Sequence, residues 1–275
     1  MTVPTRPRFW TAARRIFELS FGEMLWSRRT LFMALVVGGP VLLAIVARLV
    51  AVNGTVRMRI NGVGLGGDDV FGMMIWIFFL RFSVPVLGVF YGTALIADEV
   101  EDKTITYLFT RPIPRAAVLI GKYLAYLACT TLVVLPAVTI IYFVLVPLAQ
   151  VPASFGHLLQ DLGIMALGLA VYGALFALMG ASLKRPLIVG LVFAFGWEQI
   201  ALLVPGYLRQ FTVAYHLQAL VPHAMPSNGG VSLLQAVFPD TSSPVMSVVW
   251  LLAMMGACLV LAARAVERRE YVLEQ

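Results

Sequence analysis

Charge is scarce in this sequence. Asp, Glu, Lys and Arg make up 12 % of its 275 residues, while 60 % are hydrophobic; an ordinary soluble domain carries about 25 % charged residues. That balance excludes a soluble globular chain and leaves a polytopic membrane protein. Cysteine is nearly absent. Cys129 and Cys258 both fall inside apolar runs, so they read as small buried hydrophobes, and a disulfide framework is excluded. The three histidines, His157, His216 and His223, lack the spacing of zinc ligands. A phosphate-cradling loop is missing too: its Gly-x-x-x-x-Gly-Lys-Ser/Thr pattern comes nearest at Gly121-Lys122, where Ala116 and Tyr123 occupy the flanking positions. No Gly-x-Ser-x-Gly elbow and no pair of catalytic carboxylates occurs. The chain is therefore not expected to be an enzyme or to carry a cofactor or metal of its own. Internal repeats, which a secondary transporter would show, are not evident. No cleavable leader is expected either, because the first 30 residues hold six arginines and no apolar core.

What is present is a series of long apolar runs. Helices of about 20 residues, at about 1.5 Å rise each, cross a hydrocarbon core of about 30 Å. Runs of that kind lie at about 31–52, 70–97, 116–149, 158–183, 187–204 and 245–263. The expected fold is all-α, with six transmembrane helices. Pro136 should kink the third. In the fourth, Gly163, Ala166, Gly168, Ala170, Gly173, Ala174, Ala177 and Gly180 form a small-residue stripe suited to close helix packing. Residues 1–30 stand apart from the membrane domain at 31–275. Within them Phe9, Trp10, Ala13, Ile16, Phe17, Phe21, Met24 and Leu25 recur at helical spacing among charged residues, the pattern of an amphipathic helix lying in the headgroup region. Residues 205–244 contain five prolines and are not apolar enough to cross. They are expected at the outer membrane surface, with short interfacial helices around 211–221 and 231–238.

The most specific stretch is the charged island from Ala97 to Lys122. Asp98, Glu99, Glu101 and Asp102 supply carboxylates suited to the positive end of a short helix. Ile105, Leu108 and Phe109 then share one face, and Pro112 and Pro114 end the helix. A helix so short is marginal alone in water, which points to a protein partner that grips it. Glu101, Thr104, Ile105, Leu108, Arg111, Pro112, Arg115, Leu119, Gly121 and Lys122 resemble the first cytoplasmic loop of ATP-binding cassette (ABC) exporter permeases of the type 2 class. One departure is Lys103, where that family commonly has Gly before the Thr. The resemblance implies that this loop is a coupling helix seated in an ATPase subunit, with Glu99, Glu101, Thr104, Ile105, Leu108, Phe109, Arg111 and Arg115 making the contact. It further implies two copies of an ABC ATPase subunit, which hold ATP and Mg, a second permease copy forming a homodimer, and room for an accessory extracytoplasmic protein. A membrane scaffold or signalling subunit that uses the ATPase as a switch is the alternative.

Charge gives orientation independently. Lys and Arg number six in residues 1–30, four from Lys103 to Lys122, two at Lys184 and Arg185, and three after the last span. On the other side stand Arg57, Arg59 and Arg209. The positive-inside rule places the loop and both termini in the cytoplasm; the membrane expected is a prokaryotic inner membrane. The net charge of +6 is thereby explained by lipid headgroups and topology, and nucleic acid is not an expected partner. Two ionisable residues remain inside apolar spans, Arg81 and Glu198. A charge at such depth costs about 2.5–3.5 kcal/mol on insertion scales, so each should seek a partner. They are expected to pair, within a subunit or across a dimer, or to line a route. The alternative is a neutral, hydrogen-bonded Glu198, with Arg81 tied to helix carbonyls.

Overall fold

The computed structural model describes residues 9–52, 59–60, 63–64, 67–101, 114–203, 207–222 and 243–268. Those residues are helical almost throughout, apart from a two-residue antiparallel ladder that pairs Arg59 with Gly64 and Ile60 with Val63. The helices are α1 (Phe9–Leu25), α2 (Arg28–Val52), α3 (Gly67–Asp98), α4 (Arg115–Leu145), α5 (Val151–Ser182), α6 (Pro186–Ala201), α7 (Val213–Gln218) and α8 (Pro244–Arg268). Five of them, α2, α3, α4, α5 and α8, are long and apolar enough to cross a membrane. The expected fifth span, α6, is apolar but shorter than the other five. The all-α polytopic expectation holds.

The architecture follows from where the small residues fall. On α5, a Cβ on Gly173 would lie 2.1 Å from Tyr126 of α4, and one on Gly180 would lie 2.4 Å from the Thr93 carbonyl oxygen of α3. Gly88 and Gly92 of α3 answer with approaches of 2.8 Å to Tyr172 and 2.9 Å to Phe176. The expected stripe is thus a packing seam, except at Gly163, which faces open space. α3 and α5 are the most enclosed spans, and α2 and α8 the least. The outer pair leaves Leu31, Leu35, Leu42 and Leu49 on α2 and Val245, Met246 and Val249 on α8 exposed, an apolar surface suited to lipid.

The amphipathic helix α1 buries Ala12, Ala13 and Ser20 and exposes Trp10 and Leu19. Its partner is mainly α4, and the approach is close because Gly121 has no side chain: a Cβ there would come 2.6 Å from the Ala13 carbonyl oxygen. α3 is irregular. Residues Ile75–Ser83 and Gly88–Gly92 take wide π turns. Pro85 accounts for the first, since it offers no N–H to the turn before it and its ring crowds that turn, so the ladder shifts to bonds such as Val84 N–H to Phe79 O. Pro40 and Pro136 lie inside helices that continue through them.

Candidate functional site

Two places gather polar side chains, one at each end of the bundle. At the loop end, α3 carries on through Ala94–Glu101, so Glu99 and Glu101 belong to its last turns. Thr104, Ile105, Leu108, Phe109 and Arg111 lie outside the described residues. Arg115 opens α4, directly after Pro114 in extended conformation, a start that needs no N–H from the proline. What sequence reasoning missed is how the two ends of the loop are held. Asp98, just before it, forms an ion pair with Arg29 at the start of α2. Arg115, just after it, donates from Nη1 to the carbonyl oxygen of Glu267 at 3.4 Å, near the end of α8. The loop is thereby tied to the first and last spans as well as to the two it connects.

At the far end lies a buried polar layer organised by α7. The expected helix exists, but it does not lie on a surface: Val213, Ala214, Tyr215, His216 and Leu217 are all buried, packed on α5, α8 and the π stretch of α3. This corrects the surface placement of 211–221, and the second expected helix, at 231–238, lies outside the described residues. The reason is chemical. A short helix brings orphan N–H groups into the bundle, and those of Val213 and Tyr215 find side-chain acceptors. Thr212 caps with its hydroxyl, accepting from the Tyr215 N–H, while the Val213 N–H donates to Glu198 Oε1 at 3.2 Å. The Tyr172 hydroxyl donates to Glu198 Oε2. The Gln160 amide reaches the Leu220 carbonyl at 2.8 Å. His216 donates from Nε2 to the Gln210 carbonyl at 2.8 Å, which leaves Nδ1, 3.3 Å from Ser247 Oγ, to accept. Burial pushes that imidazole down from its ordinary range.

Glu198 is thus a buried, hydrogen-bonded carboxyl, and it does not meet Arg81 within this chain. Arg81 instead donates from Nη1 to Gln199 Oε1 at 3.1 Å and lays its guanidinium over the Trp76 ring, 4.4 Å from the centroid. Asp161 of α5 is wholly buried as well; its place near the start of an expected span gave no hint of burial. Among the described residues no cluster of three or more His, Cys, Asp or Glu gathers to hold a metal. Cys129 and Cys258 are buried and unbridged.

The sequence model of one protein family, described as ABC-2 family transporter protein, matches residues 22–196. That is well over half of the chain, and it takes in the Ala97 to Lys122 loop. No curated protein matches the chain.

Proposed function

The chain belongs to the ABC-2 transporter family, and from that premise we propose that it is the permease subunit of an exporter, driven through the Ala97 to Lys122 loop. It is an integral membrane protein, and its family works with a separate ABC ATPase subunit. Two such ATPases, which hold ATP and Mg, drive two copies of this chain, with the route between the copies. The loop and both termini face the cytoplasm of a prokaryotic cell. Closure of the ATPase pair pushes the loop, and the two permease copies rock between inward- and outward-open states.

The observation that carries this reading is the double anchoring of the loop. A loop that merely kept charge out of the bilayer would need no ties to the outermost spans. Here Asp98 is held by Arg29, and Arg115 by the Glu267 carbonyl, so displacement of the loop pulls on α2 and α8 together with α3 and α4. The test is Leu108→Asp, which charges the apolar face of the expected coupling helix outside the membrane. When the protein is co-expressed with its ATPase, this change should lower ATPase retention at least about tenfold, equivalent to about 1.4 kcal/mol, while membrane insertion is unchanged. Full retention with full ATP-driven coupling would show that the loop is not the coupling element. ATP-dependent movement of solute in reconstituted vesicles separates a transporter from a scaffold that borrows the ATPase as a switch.

A further inference from the structure

Among the described residues, no carboxylate pairs with Arg81. It sits half-buried in the π stretch of α3, and its one hydrogen bond goes to a neutral amide, that of Gln199. Its Nε is buried and has no partner. The carboxyl that could have served, Glu198, is committed to Tyr172 and the Val213 amide. A guanidinium has several further donors in a planar fork, a geometry that matches phosphate and carboxylate oxygens. It is also less strongly hydrated than an ammonium, which suits a site within an apolar span. The Trp76 face under the guanidinium steadies the charge without neutralising it.

The surroundings supply the second half of a recognition site. Phe82, next to Arg81, and Phe195, one turn before Gln199, are both exposed, and their rings lie 6.1 Å apart across the α3 and α6 boundary. Ile77, one turn before Arg81, is exposed as well. A cationic head position therefore stands beside an aromatic and aliphatic flank. We propose that Arg81, Gln199, Phe82 and Phe195 form a binding site for an amphiphile with a phosphate or carboxylate head, the head on Arg81 and the hydrocarbon on the two phenylalanines. Such a molecule comes either from the bilayer or from the cargo. The cargo case rests on the transport reading above; binding itself does not.

The experiment uses the purified full chain in neutral detergent, without any ATPase, so its failure leaves the coupling test untouched. The probes are dodecyl phosphate and dodecylphosphocholine, equal in chain length, with binding read from Trp fluorescence and from thermal shift. The wild type should bind dodecyl phosphate at least about tenfold more tightly, as expected for a charge-assisted contact. Arg81→Gln should cut that preference to about twofold or less, and Arg81→Lys should keep part of it. Gln199→Glu covers the case in which Arg81→Gln does not fold, because it keeps the arginine and gives it an internal carboxylate, and it should also abolish the preference. Nanodiscs of phosphatidylcholine, with or without phosphatidylglycerol, then identify the source. Displacement of dodecyl phosphate by phosphatidylglycerol supports a bilayer lipid, and undiminished binding supports a molecule from outside the bilayer. Equal binding of the two probes by the wild type, or a preference that survives both Arg81→Gln and Gln199→Glu, would overturn the proposal.

Discussion

Gly180→Ala adds one methyl group where α3 and α5 touch backbone to side chain position. The new Cβ would lie 2.4 Å from the Thr93 carbonyl oxygen and 3.1 Å from both the carbonyl carbon and Cα of Thr93, whereas ordinary contact begins at 3.4 Å. The obstacle is backbone, so no rotamer change relieves it, and the two helices must part by about 1 Å. The seam has no slack nearby: one turn along, a Cβ on Gly92 would already sit 2.9 Å from Phe176. Overpacking of this kind costs about 1–3 kcal/mol, where about 1.4 kcal/mol is a factor of ten. Gly163→Ala is the matched control on the same helix, because nothing lies within 4 Å of its Cβ position. Alanine favours a helix over glycine by up to about 1 kcal/mol, so the control should be neutral or stabilised. Equilibrium unfolding in mixed detergent micelles, followed by helical circular dichroism, measures both. If Gly180→Ala proves as stable as Gly163→Ala, the two spans do not meet at Gly180 and Thr93, and no tight seam joins them.

Two further outcomes are expected. Arg29 and Asp98 pair while remaining substantially exposed, so either alanine change should move the melting temperature little, an exposed pair contributing about 0.2–1 kcal/mol. Each should nevertheless lower ATP-driven coupling, and the double change should do no more harm than the worse single one; strictly additive losses would mean that the pair does not act as a unit. His216 gives a pH dependence. Its folded pKa is pushed below the ordinary value of 6.5 by burial, so the unfolded chain takes up the proton first. The stability it contributes is present above about pH 6.5 and falls as pH drops toward the lower folded value. Melting measured between pH 8 and pH 5 should show that loss, and His216→Gln should flatten this part of the profile; an unchanged profile would remove His216 as its source.

The spans were legible because twenty-residue apolar runs have few other uses, and their boundaries erred where proline or a polar residue gave a mixed signal. α5 begins at Val151 instead of Leu158, since Pro152 fits the first turn of a helix and Ser154 is buried against the Tyr142 hydroxyl, 2.7 Å away. The need of Arg81 and Glu198 for partners could be read from their positions along apolar runs, but their facing could not. Successive helix residues point about 100° apart, so Arg81 meets Gln199 while its neighbour Glu198 turns to Tyr172 and α7. The burial of α7 was the largest omission. Val213-Ala214-Tyr215-His216-Leu217 reads equally well as an interfacial segment, and the clue lay elsewhere, in a carboxyl, Glu198, placed inside an expected span with no other need for it.

These contacts constrain how the proposed push on the loop would travel. Asp98 lies near the end of α3, and Thr93 lies about one and a half turns earlier, in the tight contact with Gly180 of α5. A displacement that enters at Asp98 therefore reaches α5 before α3 has room to bend. Arg29 and the Glu267 carbonyl bring α2 and α8 along, so the loop end should move as one body. Compliance belongs where the helical ladder is already broken, at Ile75–Ser83 in α3 and Phe193–Trp197 in α6, since wide turns give up regular bonds more cheaply than an intact helix. Those two stretches carry Arg81 and Phe82 on one side and Phe195 on the other, with Gln199 half a turn beyond. The proposed amphiphile site thus spans the two segments best able to move relative to each other, and a ligand bound there would favour whichever state holds α3 and α6 at the spacing its head and tail require.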